Sequence, residues 1–296
     1  FALANLLVAL KPRDPGVLDA RFLYHFLMRR KDQLLVPLML GTANVSLKEK
    51  DIAGVRVPVP PIHKQRRIVE LLDAVGGRIA NVRLLGAEIE ADMRNLLGQA
   101  FRTVIHGVAR RPMSEVAPLI RRHVEIVPDG IYPELGIRSF GKGTFHKPAL
   151  SGIEVGTKRL FAIEPGDLLF SNVFAWEGAI AVARAEDAGR FGSHRFISCV
   201  PNPQLATAEF LRFFFLTDEG LRLIGEASPG GAGRNRTLGL QALSKIEVPV
   251  PTMNAQHWFG TLQREALAQS SERLLSAVAL DALVPAVLEQ AFVGEM

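Results

Sequence analysis

The sequence has little cysteine and no long apolar run. Cys199 is its only cysteine, and no CxxC pair exists, so an internal disulfide framework and a thiolate zinc finger are excluded. No uninterrupted apolar run reaches the roughly 18 residues that a membrane span needs, and the first residues lack the basic flank and cleavage site of a signal peptide. We therefore expect no membrane partner and a cytoplasmic location.

Motifs for metal binding and catalysis are also lacking. None of the seven histidines pairs with another at i+3 or i+4, so the sequence does not support a metal site. No GxGxxG fingerprint lies between a strand and a helix, and no Walker motif is present, so no cofactor is expected. Ser193 and His194 are adjacent on an expected strand and would point to opposite sides, which argues against a catalytic dyad. The chain is expected not to be an enzyme.

The composition is that of a folded, basic protein. Hydrophobic residues make up 48% of the 296 residues, the net charge is +5 and the sequence pI is near 9.6, which is compatible with a polyanionic partner. Basic residues outnumber acidic ones 9 to 5 in residues 1–63 and again 9 to 5 in residues 64–111, whereas residues 254–296 have 2 against 5. The first half is basic and the last segment is acidic.

The chain repeats itself. Residues 55–60 (VRVPVP) correspond to residues 246–251 (IEVPVP), Gln65 corresponds to Gln256, and residues 99–101 (QAF) correspond to residues 290–292, all at an offset of 191. Upstream, residues 21–27 (RFLYHFL) correspond to residues 209–215 (EFLRFFF). A constant offset over this length indicates an internal duplication.

Each copy predicts the same order of elements. An amphipathic helix (about 19–32 and 207–224) is followed by a Gly-containing loop, a short strand ending in VPVP, and a long helix. Alternating three- and four-residue steps predict a coiled-coil seam in the first long helix, interrupted only by Gly86; the seam residues are Ile68, Leu72, Val75, Ile79, Val82, Ile89, Met93, Leu96 and Ala100. In the second, Ser270 and Arg273 interrupt the seam and Pro285 should kink the helix. The pair is either an ordinary helical hairpin in a larger core or an antiparallel spacer of fixed length.

The fold class expected is α+β, with a mainly β body, two long helices packed as an antiparallel coiled coil, and internal duplication. The boundaries are a remnant of a first body at 1–18, helix, loop and VPVP linker at 19–63, a first long helix at 64–111, a second body with helix, Gly-rich loop and VPVP linker at 112–253, and a second long helix at 254–296. By the logic of the repeat, most of a first β body is expected to be absent from this chain.

The motifs resemble the specificity subunit of type I restriction–modification systems. The matching stretches are residues 143–148 (GTFHKP), 165–172 (PGDLLFSN), 176–182 (WEGAIAV) and 192–196 (GSHRF), together with both VPVP tracts and the glutamine after each. The resemblance implies target-recognition domains that each read one half of a bipartite DNA site, and helices that recruit methyltransferase (modification) subunits and the restriction/translocase subunit. The methyl donor would then bind a partner subunit.

Candidate DNA contacts are cations and their neighbours in expected loops, where they could reach phosphates or base edges. They are Arg138, Lys142, Lys147, Lys158, Arg159, His194, Arg195, Arg234, Asn235 and Arg236. For each residue the alternative is a solvated rim position. The last three lie in the Gly-rich stretch 228–237, a candidate backbone clamp on DNA, and the first copy offers residues 41–44 and Lys48 instead.

We therefore expect a non-catalytic subunit that recognises a specific double-stranded DNA sequence. The alternative is an interaction scaffold whose β body binds a protein or carbohydrate and whose helices mediate assembly. A self-contained methyltransferase or nuclease would need a cofactor loop or an acidic metal cluster, and the sequence has neither.

Overall fold

The structure is a computed structural model that describes residues 8–39, 46–230 and 236–293. Beyond Arg273, side chains are described at positions 276, 277, 279, 280, 282, 283 and 286. The chain divides into two compact units, with residues 1–93 and 268–296 in unit 1 and residues 94–267 in unit 2.

The described residues form helices and strands of very unequal length. The helices are α1 (Ala20–Arg29), α2 (Lys31–Leu34), α3 (Glu49–Ala53), α4 (Ile62–Ile105), α5 (Met113–Val116), α6 (Gly152–Val155), α7 (Ala208–Phe215), α8 (Asp218–Glu226), α9 (Leu240–Lys245) and α10 (Met253–Val293). The strands are β1 (Arg110–Pro112), β2 (Leu119–Ile120), β3 (Arg122–His123), β4 (Ile131–Ile137), β5 (Thr144–Ser151), β6 (Leu160–Ala162), β7 (Leu168–Ser171), β8 (Ile180–Val182), β9 (Phe191–Ser193), β10 (Phe196–Cys199) and β11 (Glu247–Pro249). The prediction of an α+β protein with two long helices is confirmed.

The strands of unit 2 form three sheets. One has the order β2-β10-β7-β8, another the order β3-β6-β9-β4-β5, and β1 pairs with β11. Neighbouring strands are antiparallel except for β4 and β9, which run parallel. The Arg122 guanidinium on β3 binds both carboxylate oxygens of Asp167, at 2.6 and 3.0 Å, just before β7. The hydrogen bonds to Asp167 raise the pKa of Arg122, and the pair ties one sheet to the other.

Phenylalanines form the centre of the unit 2 core. The rings of Phe101, Phe210 and Phe259 are buried, and that of Phe101 lies 5.2 Å from Phe210 and 5.3 Å from Phe259. These rings come from α4, α7 and α10, so the unit 2 portions of both long helices are anchored in the core of the β body. Cys199 is buried in the same core, and burial raises the pKa of its thiol to about 12, as expected of a structural rather than a reactive cysteine.

The portions of α4 and α10 in unit 1 form a partly open pair. Ser270 of α10 donates a hydrogen bond to the Glu90 carboxylate of α4. Ile68, Leu72 and Ile79 are buried, as the seam predicts, but Val82 and Ile89 are exposed. The expectation of a seam broken only at Gly86 is therefore wrong for this stretch. A groove opens between the two helices at this exposed stretch, and five of the residues that line it are small. The lining residues are Val82, Arg83, Leu85, Gly86, Ile89, Glu90, Ser270, Ser271, Arg273, Ser276, Ala277 and Leu280.

The shorter helices also differ in part from the sequence expectation. The helix expected at 207–224 is two helices, α7 and α8, because the Thr217 side chain accepts a hydrogen bond from the Gly220 N–H and starts α8 there. A Cβ at Gly220 would lie 2.1 Å from the Phe214 carbonyl oxygen, so the first turn of α8 requires glycine where it packs against the end of α7. The VPVP tract forms strand β11 only in the second copy, where β1 supplies its partner; residues 55–61 are irregular. α10 continues through Pro285.

A buried glutamine near the start of each long helix holds the two copies in the same local arrangement. In unit 1, Gln65 Nε2 donates to the Val17 and Pro60 carbonyls at 2.8 and 2.7 Å, while its Oε1 accepts from the N–H of Asp19 at 2.8 Å. Asp19 is the N-cap of α1 and accepts from the backbone N–H of Arg21 and Phe22. The side chain therefore fixes the incoming chain, the linker and the first turn of α1 together.

In unit 2, Gln256 makes the equivalent set of bonds. Its Nε2 donates to the Leu205 and Pro251 carbonyls at 2.8 and 3.0 Å, and its Oε1 accepts from the Thr207 N–H at 2.9 Å. Thr207 is the N-cap of α7. In both copies the glutamine bonds a carbonyl two residues before the N-cap, the N–H of the N-cap residue and the carbonyl of the last proline of the VPVP tract. The duplication seen in the sequence therefore corresponds to the same hydrogen bonds around α1 and α7.

We predict that Gln256→Ala lowers the free energy of unfolding by about 2 kcal/mol, because a buried N–H and two carbonyls lose their partner. The measurement is urea unfolding followed by circular dichroism. Gln99→Ala on the exposed surface of α4 is the control and should change the stability by less than about 0.5 kcal/mol. Equal stabilities for Gln256→Ala and the wild type would contradict the role given to this side chain.

Candidate nucleic-acid interface

Strand direction in unit 2 gathers several turns at one end of the sheets. β4 and β9 are parallel, so both finish at this end, and their antiparallel partners β5 and β6 begin there. The turn after β9 leads into β10, whose first residue pairs with the last residue of β7. The turn between β4 and β5, the turn after β7 and the turn between β9 and β10 therefore meet. We call residues 138–143, 172–178, 193–195 and 236 the turn surface.

Backbone hydrogen bonds join these turns to one another. Phe140 N–H donates to the Glu177 carbonyl and Gly141 N–H to the Gly178 carbonyl, both at 2.8 Å. Asn172 N–H donates to the Arg195 carbonyl at 2.7 Å. The Asn172 carbonyl in turn accepts from the N–H of Leu238, at 2.8 Å, just after Arg236. The turn surface is consequently a single hydrogen-bonded assembly.

A half-buried cation on α7 supports the turn between β4 and β5. Arg212 on α7 donates from Nη2 to the Gly141 carbonyl at 2.6 Å, and burial lowers the pKa of its guanidinium. Arg138 donates to the Thr144 carbonyl at 2.9 Å and lies over the Phe145 ring at 4.9 Å. Lys142 is exposed and lies 5.9 Å from the centre of the Phe140 ring.

An aromatic side chain and a cation meet at the next turn. The Arg236 guanidinium lies 5.4 Å over the Trp176 ring, an arrangement that favours a fixed orientation of the cation. The indole N–H of Trp176 donates to the Val173 carbonyl at 3.0 Å, so the ring is itself held in place. Arg236 remains exposed.

The turn between β9 and β10 places further polar side chains at the same end. His194 and Arg195 form a tight turn and are exposed. Ser193 Oγ accepts from the Arg195 backbone N–H at 3.3 Å, so this hydroxyl takes part in the turn itself. The register pairs Leu160 with Ser193, which puts Arg159, one residue before Leu160, next to this turn.

The turn surface is strongly basic. It contains four cations, at positions 138, 142, 195 and 236, against the one carboxylate of Glu177. Ser139 Oγ donates to that carboxylate at 3.1 Å. The excess of cations, which was not visible in the chain as a whole, is therefore concentrated where the turns meet.

Of the ten candidate contacts, the structure brings five directly into the turn surface: Arg138, Lys142, His194, Arg195 and Arg236. Arg159 adjoins it, and the exposed Lys158 precedes Arg159. Lys147 lies further along β5 and is half-buried, with its carbonyl 3.5 Å from Nη1 of Arg190. Arg234 and Asn235 lie outside the described residues, as do residues 41–44 of the first-copy loop. Contact of any of these residues with DNA stays a prediction.

Sequence reasoning missed Phe140 and Arg212. Phe140 reads as an ordinary apolar residue, although its place between Ser139 and Gly141 in a Gly-rich turn was a signal that it could be exposed. Arg212 lies in an amphipathic helix, and its hydrogen bond to Gly141 spans 71 positions. Spacing along the chain gives no sign of that bond.

A buried carboxylate fixes the hairpin that carries the first turn. Asp187 is fully buried and accepts from Thr144 Oγ at 2.9 Å and from the Arg184 N–H at 2.9 Å, while His146 Nε2 lies 2.9 Å from its other oxygen. Burial raises the pKa of Asp187, but these hydrogen bonds and the Arg184 charge outweigh it and leave the pKa below its ordinary value. Thr144 and His146 are on β5, so Asp187 anchors the hairpin from its side.

We predict that Asp187→Ala lowers the free energy of unfolding by about 3 kcal/mol at pH 7, because charged hydrogen bonds are lost in a buried site. A carboxylate whose pKa is lowered by folding stabilises the protein fully at pH values above its pKa in the unfolded chain, about 3.9. This stabilisation is lost as the pH falls through the lower pKa of the folded chain. The difference in the free energy of unfolding between Asp187→Ala and the wild type should therefore become smaller below about pH 3.9.

Urea unfolding at pH 7 and at low pH measures both values. Glu186→Ala is the matched control, because the neighbouring Glu186 carboxylate is exposed and pairs with Arg184 at 2.6 Å on the surface. Glu186→Ala should lower the free energy of unfolding by less than about 1 kcal/mol. A cost for Asp187→Ala that does not change with pH would show that packing, rather than the charge, accounts for it.

The described residues contain no group of three or more His, Cys, Asp or Glu side chains able to hold a metal ion. In the same part of the chain, no helix is long and apolar enough to cross a membrane.

Comparison with known proteins identifies the class of this fold. Residues 1–91 match the family model for the type I restriction modification DNA specificity domain. No curated protein matches the chain. Among solved structures, a chain from the type I R-M system, studied for complex assembly and conformational transition, is 19% identical with a TM-score of 0.67, over 96% of this chain and 73% of that one.

Two HsdS-type structures have the same fold. The HsdS subunit from Thermoanaerobacter tengcongensis is 21% identical with a TM-score of 0.54, over 95% of this chain and 71% of that one. The type I restriction–modification S subunit from M. genitalium is 16% identical with a TM-score of 0.50, over 94% of this chain and 74% of that one.

The sequence match over residues 1–91 and the fold of the chain are both similar to those of type I DNA-specificity proteins. The resemblance to the specificity subunit that was stated from the motifs is thereby confirmed. The sequence match covers most of the first copy and ends within α4, whereas the β body of unit 2 is similar to the solved structures in its fold.

Proposed function

We propose that this chain recognises DNA as the specificity subunit of a type I restriction–modification complex and that the turn surface of unit 2 reads one half-site. The observation that carries the proposal is the concentration of four cations against one carboxylate on three hydrogen-bonded turns and the adjoining Arg236. A rigid basic surface of this kind is suited to the phosphates of a duplex.

Two kinds of contact are needed for sequence recognition. Contacts to phosphate position a protein on the duplex, and contacts to base edges in the grooves specify the sequence. The tip of the hairpin formed by β4 and β5 is a two-stranded ribbon, which the major groove of B-DNA is wide enough to admit. We assign the base contacts to this tip and the phosphate contacts to Arg195, Arg236 and the adjoining Arg159.

The exposed groove of unit 1 is the surface on which we expect methyltransferase and restriction subunits to assemble. It has apolar side chains, including Val82, Leu85 and Ile89, on a helix surface that is exposed to solvent. Apolar helix surfaces of this kind are typical of sites where a partner helix docks. The chemistry of methyl transfer and cleavage is then assigned to those partners, the chain itself is non-catalytic, and the complex acts on DNA in the cytoplasm.

The rival class, an interaction scaffold without DNA binding, is not favoured. A scaffold that binds a neutral carbohydrate or a protein has no need for a basic surface with a single carboxylate. Its binding would also show little of the steep salt dependence that counterion release gives to DNA binding.

We predict that the chain binds duplex DNA with an affinity that falls steeply with salt, and that Arg236→Ala weakens binding to all sequences alike. The reason is that a phosphate contact releases a counterion without reading a base, so the slope of log K against log salt should fall by about one. Gel-shift titrations of selected and random duplexes over a range of salt concentrations measure the slope.

Arg264→Ala, an exposed arginine on α10, is the matched control and should leave the slope unchanged. A change in preferred sequence for Arg236→Ala would place that guanidinium on a base. Absence of DNA binding at low salt would refute the proposed function.

We predict that Leu85→Asp abolishes copurification with the methyltransferase subunit in co-expression, because a carboxylate in an apolar groove is costly to bury. Leu84→Asp is the matched control: Leu84 is 60% exposed and Leu85 56%, but only Leu85 lines the groove. Thermal unfolding of both variants checks that they remain folded. Equal capture of the methyltransferase subunit by the two variants would show that the groove is not part of the assembly surface.

A further inference from the structure

Phe140 has a backbone conformation that its side chain disfavours. Within the described ranges it is the sole non-glycine residue with a positive φ, at 61°. Residues other than glycine, asparagine and aspartate rarely adopt this region, and a bulky side chain there is strained. Either glycine or asparagine would suit the backbone better.

Burial of the Phe140 ring does not compensate for this backbone strain. It is 74% exposed, so little of its apolar surface is removed from water. The strained backbone and the exposed aromatic ring both lower the stability of the protein without a bound partner. Residues that break local rules in this way are concentrated at functional sites.

The surroundings of Phe140 force this conformation. Its N–H is bound to Glu177 and that of Gly141 to Gly178, and Arg212 holds the Gly141 carbonyl. A Cβ at Gly178 would lie 3.4 Å from Phe140 N and Cα, so the two turns are in close contact. The ring is therefore presented on a rigid support rather than on a free loop.

The chemistry around the ring points to DNA as its partner. Lys142 lies 5.9 Å from the ring centre, and Arg138 starts the same turn. An apolar group flanked by cations at the tip of a two-stranded ribbon matches the major groove, where the thymine 5-methyl group is the apolar feature between phosphate rows. A protein partner of this site would have to be acidic, and the other apolar side chain exposed on the turn surface, Phe174, is only 39% exposed against 74% for Phe140.

We propose that Phe140 is a specificity-determining residue that contacts the 5-methyl group of a thymine in the major groove. This inference rests on the proposed function, because it requires the turn surface to lie on DNA. It assigns to one residue a preference for thymine at one position of the half-site, while the cations beside it hold the phosphates.

The first test compares variants on duplexes of 30 base pairs enriched from a randomised pool by binding to the wild-type chain. Phe140→Asn should lower the affinity for the enriched duplex by about fourfold, as expected for one methyl group no longer removed from water. The affinity for unselected duplexes should stay within about twofold of wild type. Because asparagine suits the backbone, the melting temperature should equal or exceed that of the wild type.

Ile153→Ala is the matched control. Ile153 is 75% exposed, close to the value for Phe140, and it lies in unit 2 on α6, after the other end of β5. This variant should bind both kinds of duplex as the wild type does. Phe140→Leu, which keeps an apolar side chain, should retain most of the discrimination.

The second test replaces each thymine of the enriched duplex in turn by deoxyuridine, which lacks only the methyl group. One replacement should weaken wild-type binding about fourfold and leave Phe140→Asn unaffected, so the double change shows the coupling directly. An equal effect of every replacement on both proteins would overturn the inference and leave the proposed function standing.

The remaining outcomes also distinguish the two claims. Equal loss on enriched and unselected duplexes for Phe140→Asn would place the ring on the DNA backbone and overturn base reading. A rise in the fluorescence of 2-aminopurine placed in the enriched duplex, lost in Phe140→Asn, would show insertion between bases instead of contact with a methyl group. Failure of the wild type to bind any duplex would refute both the inference and the proposed function.

Discussion

The arrangement at the start of both long helices depends on one buried amide side chain. The side chains of Gln65 and Gln256 are fully buried, and each bonds two carbonyls and one N–H. The bonds connect two stretches of chain distant in sequence, the residues just before α1 or α7 and the linker that leads into the long helix, so the glutamine determines where the VPVP tract ends and how α1 or α7 is attached. Proline gives the tract its stiffness, because it has no N–H and restricts the chain to an extended path. Glutamine then fixes the end of that path.

Much of the fold could be predicted because its signals are local or repeated. The offset of 191 positions indicated the duplication, and the helical spacing of apolar residues predicted that two long helices exist. The type I family resemblance came from short motifs in order. The glutamines themselves were visible as matched positions, although their bonding was not. Periodicity and repetition are properties of the sequence, so they can be read from it.

The errors have a different origin. The break between α7 and α8 depends on a single cap at Thr217, and the partly exposed stretch of the α4 seam faces a groove that residues of both long helices line. The turn surface was predicted only as a set of cations, because its assembly rests on backbone hydrogen bonds such as those from Phe140 and Asn172. Those bonds link residues far apart in sequence, and no spacing rule predicts them. The positive φ of Phe140 likewise follows from the neighbouring turn.

Most of the bonds that join the turns run from backbone to backbone, and the side chains of Lys142, His194 and Arg195 are exposed. A substitution at an exposed turn position such as Lys142 or His194 changes what the surface presents to a ligand without removing any of these bonds. Gly141 and Gly178 are exceptions, because both have positive φ and a Cβ at Gly141 would lie 2.8 Å from Leu216. A lineage of such proteins could thus acquire a new binding preference by a few exchanges at the turns while the core, and with it the folding stability, is inherited unchanged.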